Sequence, residues 1–367
     1  MKKLLIASAV AALFATPATV LAQAKPPSGP TLGSVLEASG INVSGHIDAG
    51  YTHADRNIEA PGFSTRVFDS QNNSFVLRQV GLTVAKQPKE GFGALVNITA
   101  GRDAEVINSV GATPSQFDLT QAYAQYAGGP LTVIAGKFVT LHGTEVIASP
   151  GNANISRSIL FGAIPFTHTG VRVTWALNDQ FSFVGGLNNG WDQLVDGNKG
   201  KTVELGAIMN PIKPLSITAS LYSGKEVPPG GVGEGTRDSV NVVATYNITD
   251  TLSAGAEILY VTQDVPGGSK VKYNGIALYG GYLFMPKLRG SLRLEQFDDK
   301  NGVRFGTAPT GVEYREGTAT VAYLAADNFE LRGEVRRDSA DRAVFVDSNG
   351  ATSKTLMTVA LQVLYKF

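Results

Sequence analysis

The sequence contains no cysteine, and this absence excludes several classes of site at once. Disulfide frameworks, zinc–thiolate sites, cysteine nucleophiles and covalently attached c-type haem all need a thiol. Histidine is scarce as well, since only His46, His53, His142 and His168 occur, and none has the spacing of an HExxH metal motif. The sequence therefore predicts no cofactor, no metal site and no enzyme.

Long apolar runs and an excess of charge of one sign are also lacking. Beyond residue 24 no apolar run reaches 18 residues, so no transmembrane helix is predicted there. Lys+Arg and Asp+Glu both number 31, and loss of Lys2 and Lys3 with a cleaved leader would leave 29 basic residues. A nearly neutral chain lacks the basic stripe that nucleic acid requires, so no nucleic-acid partner is predicted.

Residues 1–24 are typical of a secretory signal peptide. A basic start precedes an apolar core over residues 4–14, and small residues follow, with cleavage expected after Ala22 or Ala24. The alternative, a membrane-anchoring helix, is disfavoured because this core is too short for a bilayer of about 30 Å.

Residues 25–40 are expected to form a periplasmic lead-in. Within it, residues 31–38 (TLGSVLEA) could form a short helix or remain a flexible link. The remainder, 41–367, is predicted to be one domain.

Apolar and polar side chains alternate along most of this domain. In INVSGHIDAGYT (41–52) every second residue is apolar or small, and in FELRGEVR (329–336) charged residues fill the other positions. A period of two is typical of a strand with one apolar and one polar face. About sixteen such segments occur, near 41–53, 74–86, 92–101, 117–127, 131–138, 168–177, 181–188, 201–209, 215–223, 238–247, 251–261, 272–284, 287–297, 312–324, 328–338 and 353–367.

The links between these segments alternate strictly between short and long. This layout indicates an all-β fold, a transmembrane antiparallel up-and-down β-barrel of about sixteen strands with short periplasmic turns and long extracellular loops. Counts of fourteen or eighteen strands remain open. A water-soluble β-sandwich also alternates, but it explains neither the unequal links nor the signal peptide nor the aromatic residues near strand ends on the apolar face.

The polar face is expected to line the lumen, because Arg or Lys at the midplane of a membrane barrel costs about 2–4 kcal/mol each. The predicted pore-lining residues are Asp48, Arg172, Glu204, Glu257, Arg289, Arg293, Glu295, Glu330, Arg332, Glu334 and Arg336. Arg315 is assigned to the same wall and Glu316 to the outward face. Positive and negative residues alternate along this wall. They could form a lattice of salt bridges across neighbouring strands, or a row of charges that gives the channel a weak preference for anions.

Sixteen strands leave an aqueous channel, whereas about eight are filled by their own side chains. The longest link, residues 139–166, carries apolar residues that an outside loop would not need. We therefore expect it to fold inward as a constriction loop, with His142, Glu145 and Arg157 facing the passage. The alternative is a packed loop that covers the rim.

Two chemical alternatives carry less weight. A membrane-embedded hydrolase would need a Ser–His pair near the rim, where His53 and His142 are expected. Asp192, Asp196 and Asn198 could hold calcium, although a solvated turn is the favoured explanation for them.

The chain stops on ALQVLYKF, in which every second residue is apolar up to Phe367. We interpret it as the closing strand, which pairs with the first so that no edge stays open. Tyr365 and Phe367 resemble the carboxy-terminal signal read by the outer-membrane assembly machinery. The glycine common five residues before the end is replaced by Gln362, so the match is partial.

Several phrases of the sequence together resemble the OmpL-like group of outer-membrane β-barrel porins. They are GHIDAGYT (45–52), NSFVLRQVGLTVAK (73–86), GKFVTLHGTEVI (136–147), NISRSILFGAIPFTHTGVR (154–172) and NNGWDQLVDGNKGK (188–201). The resemblance spans essentially the mature chain. It implies a barrel in the outer membrane of a Gram-negative bacterium, passive passage of solutes, and no catalytic residues.

These expectations combine into a porin for passive diffusion of small hydrophilic solutes. Its expected partners are outer-membrane lipid, the permeant solutes, the assembly machinery and, as in many porins of this size, two further copies in a homotrimer. The alternative is a non-conducting barrel that serves as a scaffold or sheath for a partner protein.

Overall fold

The computed structural model describes residues 29–58, 63, 65–110, 112–198, 200–227 and 233–367. The leader predicted over 1–24 lies outside these residues. The described chain forms two compact units, one up to Ser39 and one from Gly40 onward. The first contains helix α1 (Leu32–Ser39), so the lead-in forms the short helix that the sequence left open. No helix in the described ranges is long and apolar enough to cross a membrane.

The second unit is a closed barrel of sixteen antiparallel strands. They are β1 (Asn42–Ala54), β2 (Ser74–Lys86), β3 (Gly91–Ala100), β4 (Phe117–Gly128), β5 (Leu131–Val139), β6 (Thr167–Ala176), β7 (Phe181–Asn188), β8 (Thr202–Ile212), β9 (Leu215–Glu226), β10 (Gly235–Asn247), β11 (Leu252–Gln263), β12 (Val271–Met285), β13 (Leu288–Asp299), β14 (Val312–Ala326), β15 (Phe329–Ala340) and β18 (Thr355–Lys366). Two short strands, β16 (Phe345–Val346) and β17 (Thr352–Ser353), form a separate hairpin in the last long link. The links also hold a short helix α2 (Ala104–Ile107) and two 3-10 turns, Ser149–Gly151 and Phe161–Ala163.

The predicted up-and-down barrel is confirmed, and each predicted segment overlaps one barrel strand. Every barrel strand pairs with its neighbours in the chain, except that β15 skips the hairpin and pairs with β18. The last segment, predicted from residue 353, begins as a barrel strand only at Thr355, because Thr352 and Ser353 pair with Val346 and Phe345. The sheet closes on itself, which a sandwich of two open sheets does not do.

Closure depends on the end of the chain. β18 pairs with β1, and the ladder continues to Phe367, whose carbonyl accepts the Gly45 N–H at 2.8 Å and whose N–H donates to the Gly45 carbonyl at 3.0 Å. A Cβ on Gly45 would lie 2.4 Å from the Phe367 ring. Glycine at position 45 therefore makes room for the terminal aromatic ring, and the predicted closing strand is confirmed.

The two faces of the wall differ as the alternation predicts. On β18, Leu361 is 61% exposed on the outward face, whereas its neighbour Gln362 is 2% exposed on the inward face. Outward side chains such as Val321 and Leu294 continue this apolar band on other strands. The band is where we expect acyl chains to contact the protein.

Replacement of Leu361 by arginine tests this band. We expect Leu361→Arg to lower the free energy of unfolding by about 2–4 kcal/mol, because a guanidinium near the bilayer midplane loses its hydration. Reversible urea unfolding in phospholipid vesicles measures the loss. Leu361→Phe, which keeps the position apolar, is the matched control and should unfold nearly as the parent does. An equal cost for both substitutions would contradict the placement.

An apolar cluster fills the interior at the end that carries the long links. Phe297 and Tyr314 point inward from β13 and β14, and Phe305 of the link between these strands packs on both at centroid distances of 5.4 and 5.6 Å. Phe68 of the first long link contacts Phe161 at 5.8 Å. Side chains from several long links and from the wall thus share one buried core.

This cluster explains why the sequence-based assignment of Glu316 and Arg315 was wrong. Glu316 is 4% exposed on the inward face and bonds Arg293, whereas Arg315 is exposed on the outward face and pairs with Glu313. At this end of β14 the inward face carries Tyr314, which packs in the core, and the outward face carries ions. The usual polarity of the two faces is reversed there, so alternation alone gave the opposite register.

Candidate functional site

The third long link, residues 140–166 between β5 and β6, forms hydrogen bonds with inward-facing side chains on many strands. At its start, the ring nitrogens of His142 lie 2.7 Å from Ser220 Oγ on β9 and 3.0 Å from Ser239 Oγ on β10. The next N–H groups continue around the wall. That of Gly143 donates to Asn241 Oδ1 at 2.9 Å, and that of Thr144 donates to Glu257 Oε2, also at 2.9 Å.

The later part of the link bonds the wall formed by β13 to β15. Glu295 accepts the N–H groups of Ile159 and Leu160, at 2.6 and 3.2 Å. Glu334 accepts those of Ile155 and Ser156, at 2.6 and 3.0 Å. An irregular buried backbone must find acceptors outside a ladder, and these carboxylates supply them.

The middle of the link reaches the opposite side of the barrel. Ser149 Oγ donates to Asp48 Oδ2 on β1 at 2.6 Å, and the Ser149 N–H donates to Gln79 Oε1 on β2 at 3.0 Å. In the circuit of sixteen strands, β1 lies eight places from β9, where His142 contacts Ser220. The bonds of the third link therefore join strands on opposite sides.

Arg157 holds the third link together from within. Its guanidinium donates to the carbonyls of Val146, Ile147 and Ile155 at 2.9, 2.9 and 3.1 Å. The same group lies 5.3 Å from the centre of the Phe68 ring. Burial lowers the pKa of Arg157 from its usual range. This predicted site residue thus binds its own link rather than solvent.

The charged residues predicted on β13 to β15 form a buried lattice with alternating signs. Arg293, which is fully buried, bonds Glu145 of the third link at 2.7 Å and Glu316 at 3.0 Å. Arg336 bonds Asp338 at 2.6 Å. Arg332 bonds Glu330 at the same distance. Of the two possibilities left open by the sequence, the geometry favours the salt-bridged lattice.

Two of the other predicted wall residues form a separate pair. Arg172 on β6 bonds Glu204 on β8 at 2.7 Å, and Tyr222 OH donates to Glu204 at 2.8 Å. Arg289 differs from the rest, because 37% of its side chain is exposed while it bonds Glu330. Six of the predicted pore-lining residues bond the third link, namely Asp48, Glu257, Arg293, Glu295, Glu334 and Arg336. The other five bond partners outside this link, namely Arg172, Glu204, Arg289, Glu330 and Arg332.

A family model described as putative beta-barrel porin-2, OmpL-like, matches residues 40–367, almost the whole described chain. The protein belongs to this porin family. It is accordingly an outer-membrane β-barrel protein of a Gram-negative bacterium, as the sequence predicted. No curated protein matches the sequence significantly.

Solved structures with the same fold are outer-membrane channels and porins. The channel DcaP of Acinetobacter baumannii is 16% identical, with 89% of this chain and 97% of DcaP aligned and a TM-score of 0.62. An anion-selective porin from Comamonas acidovorans is 13% identical, over 89% and 99% of the two chains, with a TM-score of 0.61. OmpT of Vibrio cholerae, solved in a trimer form, is 11% identical, over 89% and 99%, with a TM-score of 0.60. At these identities the likeness establishes the fold.

The first long link of this OmpL-like porin also bonds the wall, which the sequence analysis missed. Arg66 donates to Asp338 on β15 at 2.9 Å and to Thr358 on β18 at 2.8 Å. Its neighbours Val67 and Phe68 are buried in the apolar cluster. The apolar residues of the third link were the reason to predict that it folds inward. The first link also contains apolar residues, namely Ile58, Phe63, Val67 and Phe68, and they could have predicted this contact.

A second missed group lies where the third link meets β2. Gln79 Nε2 donates to Asp103 Oδ2 and to the Ile147 carbonyl, both at 2.8 Å. Burial, with a further contribution from the charge of Asp48, raises the pKa of Asp103 to about 8. A neutral Asp103 avoids the cost of burying a second negative charge close to Asp48. The sequence could not predict this group, because adjacent residues of a regular strand face opposite sides. A β-bulge on β2 turns both Arg78 and Gln79 to the buried side.

The histidines do not form a hydrolase site in the described chain. His142 and Ser220 are within hydrogen-bond distance, but both are buried, and the other ring nitrogen meets Ser239 rather than a carboxylate. His53 contacts Asn73 Oδ1 at 2.6 Å. Nucleophile activation needs a base that a third group orients and that substrate can reach. The family likewise consists of porins.

The calcium hypothesis gains no support from the geometry. Asp192 Oδ1 accepts the backbone N–H groups of Phe166 and Thr167, at 2.8 and 2.9 Å, and Asp196 bonds Asn198 and Lys201. Across the described residues, no group of three or more His, Asp or Glu side chains is arranged to hold a metal ion.

The pH dependence of stability should reveal the buried state of His142. Burial, with a contribution from His168, holds the pKa of His142 well below 6.5. As the pH falls below 6.5, the His142 imidazole becomes protonated in the unfolded chain but stays neutral in the folded chain. His142 therefore lowers the free energy of unfolding as the pH falls, until the pKa of the folded state is reached. We expect the unfolding free energy of His142→Gln to fall less steeply below pH 6.5 than that of the parent, in urea titrations. Parallel pH profiles would contradict the prediction.

Proposed function

We propose that the protein is a diffusion channel for small hydrophilic solutes. The observation that carries this proposal is the closed sixteen-stranded barrel with polar and ionic side chains on its inward face. Barrels of this strand number are wide enough for water, unlike those of about eight strands. Solutes would cross down their own gradient, without an energy source.

The third link would set the size limit. Its bonds to β9 on one side and to β1 on the other support a position across the lumen. His142, Glu145 and Arg157 would then act as structural anchors of the constriction, since each is committed to protein partners.

The open part of the passage would run beside β3 to β5. Within the described residues, the wall bonds of the third link go to β1, β2 and β9 to β15, and β3 to β8 receive none. On β6 and β8 the inward Arg172 and Glu204 are buried in their own pair, which leaves β3 to β5 as the more open side. Inward-facing Asn97, Gln121, Tyr123 and Thr132 are only half-buried there. These side chains are uncharged and polar. We therefore expect weak ion selectivity, since the arginines of β13 to β15 are neutralised in their lattice.

Planar-bilayer recording of the refolded protein tests the channel. Defined conductance steps, with reversal potentials near zero in a salt gradient, are expected. Liposome swelling with a panel of sugars, amino acids and organic anions would then rank the permeant solutes. The absence of any conductance step from protein with intact barrel structure would contradict the proposal.

A non-conducting scaffold is the second candidate, and the apolar cluster at the long-link end favours it. Phe63, Phe68 and Phe161 are buried inside the barrel end rather than exposed to water. If that packing closes the lumen, the protein would be electrically silent and would bind a partner through its loops. Conductance separates the two candidates.

Two further expectations concern partners. A homotrimer is consistent with the trimer form of the OmpT neighbour and can be tested by chemical cross-linking in native membranes. For the assembly machinery, the exposed aromatic side chains of Tyr365 and Phe367 on the outward face support recognition. We expect Phe367→Ala to reduce the amount of barrel in the outer membrane. A normal yield would argue against a signal at this position.

A further inference from the structure

A cavity of about 340 Å³ opens at the long-link end of β9 to β12. It adjoins the last part of the third link, because Ile164 lines it and the Tyr273 OH on its wall donates to the Ala163 carbonyl at 3.1 Å. Its polar lining comes from the wall and from two other links. The polar and aromatic side chains that line this mouth pocket are Trp191, Asp192, Gln193, Glu226, Arg237, Gln263, Tyr273 and Arg304. A volume in this range suits a small organic molecule.

Arg237 brings a positive charge into the mouth pocket without a carboxylate partner. Its Nε and Nη2 both donate to the neutral Gln263 Oε1, at 2.9 and 2.7 Å, and Nη2 also donates to the Val227 carbonyl at 3.2 Å. Its guanidinium lies 4.8 Å from the centre of the Trp191 ring. Among the described residues it forms no ion pair within 4.0 Å. The amide and the indole thus orient the cation while leaving its charge available.

Arg304 supplies a second cation from the link between β13 and β14. It donates one bond to the Gly162 carbonyl of the third link, and its buried Nε has no hydrogen-bond partner within the described residues. A buried donor without a partner is costly in a folded protein, so an acceptor from a ligand would stabilise it.

Each of the two acids that line the pocket accepts two hydrogen bonds from the protein through one of its carboxylate oxygens. Glu226 Oε1 accepts the Trp191 N–H and the Thr202 hydroxyl, each at 3.0 Å. Asp192 accepts two backbone N–H groups, as described above. These carboxylates therefore stabilise the surrounding links, whereas the guanidinium groups keep binding capacity. Five aliphatic side chains complete the lining.

We propose that the mouth pocket binds an organic anion with one carboxylate and a compact apolar body. The carboxylate would lie between Arg237 and Arg304, and the hydrocarbon would contact the aliphatic lining. A neutral sugar fits less well, because Arg237 already stacks on the Trp191 ring. The proposal goes beyond diffusion, since binding at the mouth does not require that the barrel conducts.

Intrinsic fluorescence can report this binding directly. The chain has two tryptophans, and Trp175 lies exposed on the outward face of β6, so Trp175→Phe leaves Trp191 as the single reporter. In detergent, titration with cyclohexanecarboxylate should change the Trp191 emission saturably. Cyclohexanecarboxamide has the same body without the charge and should bind at least about tenfold more weakly.

Arginine variants in the same background locate the site. Arg237→Gln and Arg304→Gln should each raise the dissociation constant by at least about tenfold, because each removes a charge-assisted hydrogen bond. Arg315→Gln, which removes an outward-facing cation, should leave it unchanged.

Three results would each overturn the proposal. They are no saturable change with the carboxylate, equal affinity for the carboxamide, and unaltered binding in both pocket variants. The carboxylate–carboxamide comparison needs no pocket variant, so it decides even if Arg237→Gln fails to fold. A silent barrel that still binds the carboxylate would contradict only the diffusion channel.

Discussion

Replacement of residues 144–160 by a short Gly-Ser linker is expected to raise the single-channel conductance by at least about twofold, because in the proposed channel the third link occupies part of the lumen that sixteen strands enclose. The replaced part contains the anchors to β1, β11, β13 and β15. Loss of these anchors would free the lumen and hydrate the wall carboxylates that now accept backbone N–H groups. Planar-bilayer recording measures the change directly.

The matched control shortens a link that does not bond the interior. Residues 266–269, the exposed tip of the link between β11 and β12, suit this purpose. Their removal should leave the conductance within the scatter of the parent. Unchanged conductance in the variant without residues 144–160, in protein that retains its β-sheet circular dichroism, would contradict the constriction and support a loop that only covers the rim.

Arg293→Met is expected to lower the free energy of unfolding by about 3–5 kcal/mol, since it leaves buried carboxylates without their cation. Arg293 is fully buried and bonds Glu145, Glu316 and Ser156. Methionine keeps much of the volume but none of the donors. Urea unfolding of the protein in phospholipid vesicles measures the difference.

Arg289→Met provides the comparison, because Arg289 lies on the same strand and bonds one carboxylate while its side chain stays 37% exposed. Its loss should cost about 1 kcal/mol or less, as expected for an exposed ion pair. Similar costs for both substitutions would show that the lattice does not hold the wall and the third link together.

The fold was predictable because the wall of a membrane barrel imposes one simple pattern on its strands, in which apolar and polar residues alternate. Period-two alternation located every barrel strand, and the unequal links gave their connectivity. The rule failed at Glu316 because β14 extends past the apolar band, and Tyr314 packs inward there while Arg315 faces outward. Where the environment on both sides of a strand changes along its length, residue polarity no longer reports the face.

The site was predictable in part. The apolar residues of the third link indicated an inward fold, and the interleaved charges of β13 to β15 indicated a lattice. The partners of those charges could not be derived, because Glu295 and Glu334 bind backbone N–H groups, which no side-chain pattern encodes. The mouth pocket could not be predicted from the sequence either, because Trp191, Arg237 and Arg304 come from three separate parts of the chain and only the fold brings them together.

The central claim is that one face of each strand contacts lipid and the other faces the interior. The chain has no cysteine, so single cysteines can be placed along β18 at residues 357–362 and labelled with a fluorophore. Nitroxide-bearing lipids should strongly quench labels at Met357, Val359 and Leu361 and spare those at the residues between them. Quenching without this two-residue period, or with the opposite phase, would contradict the account.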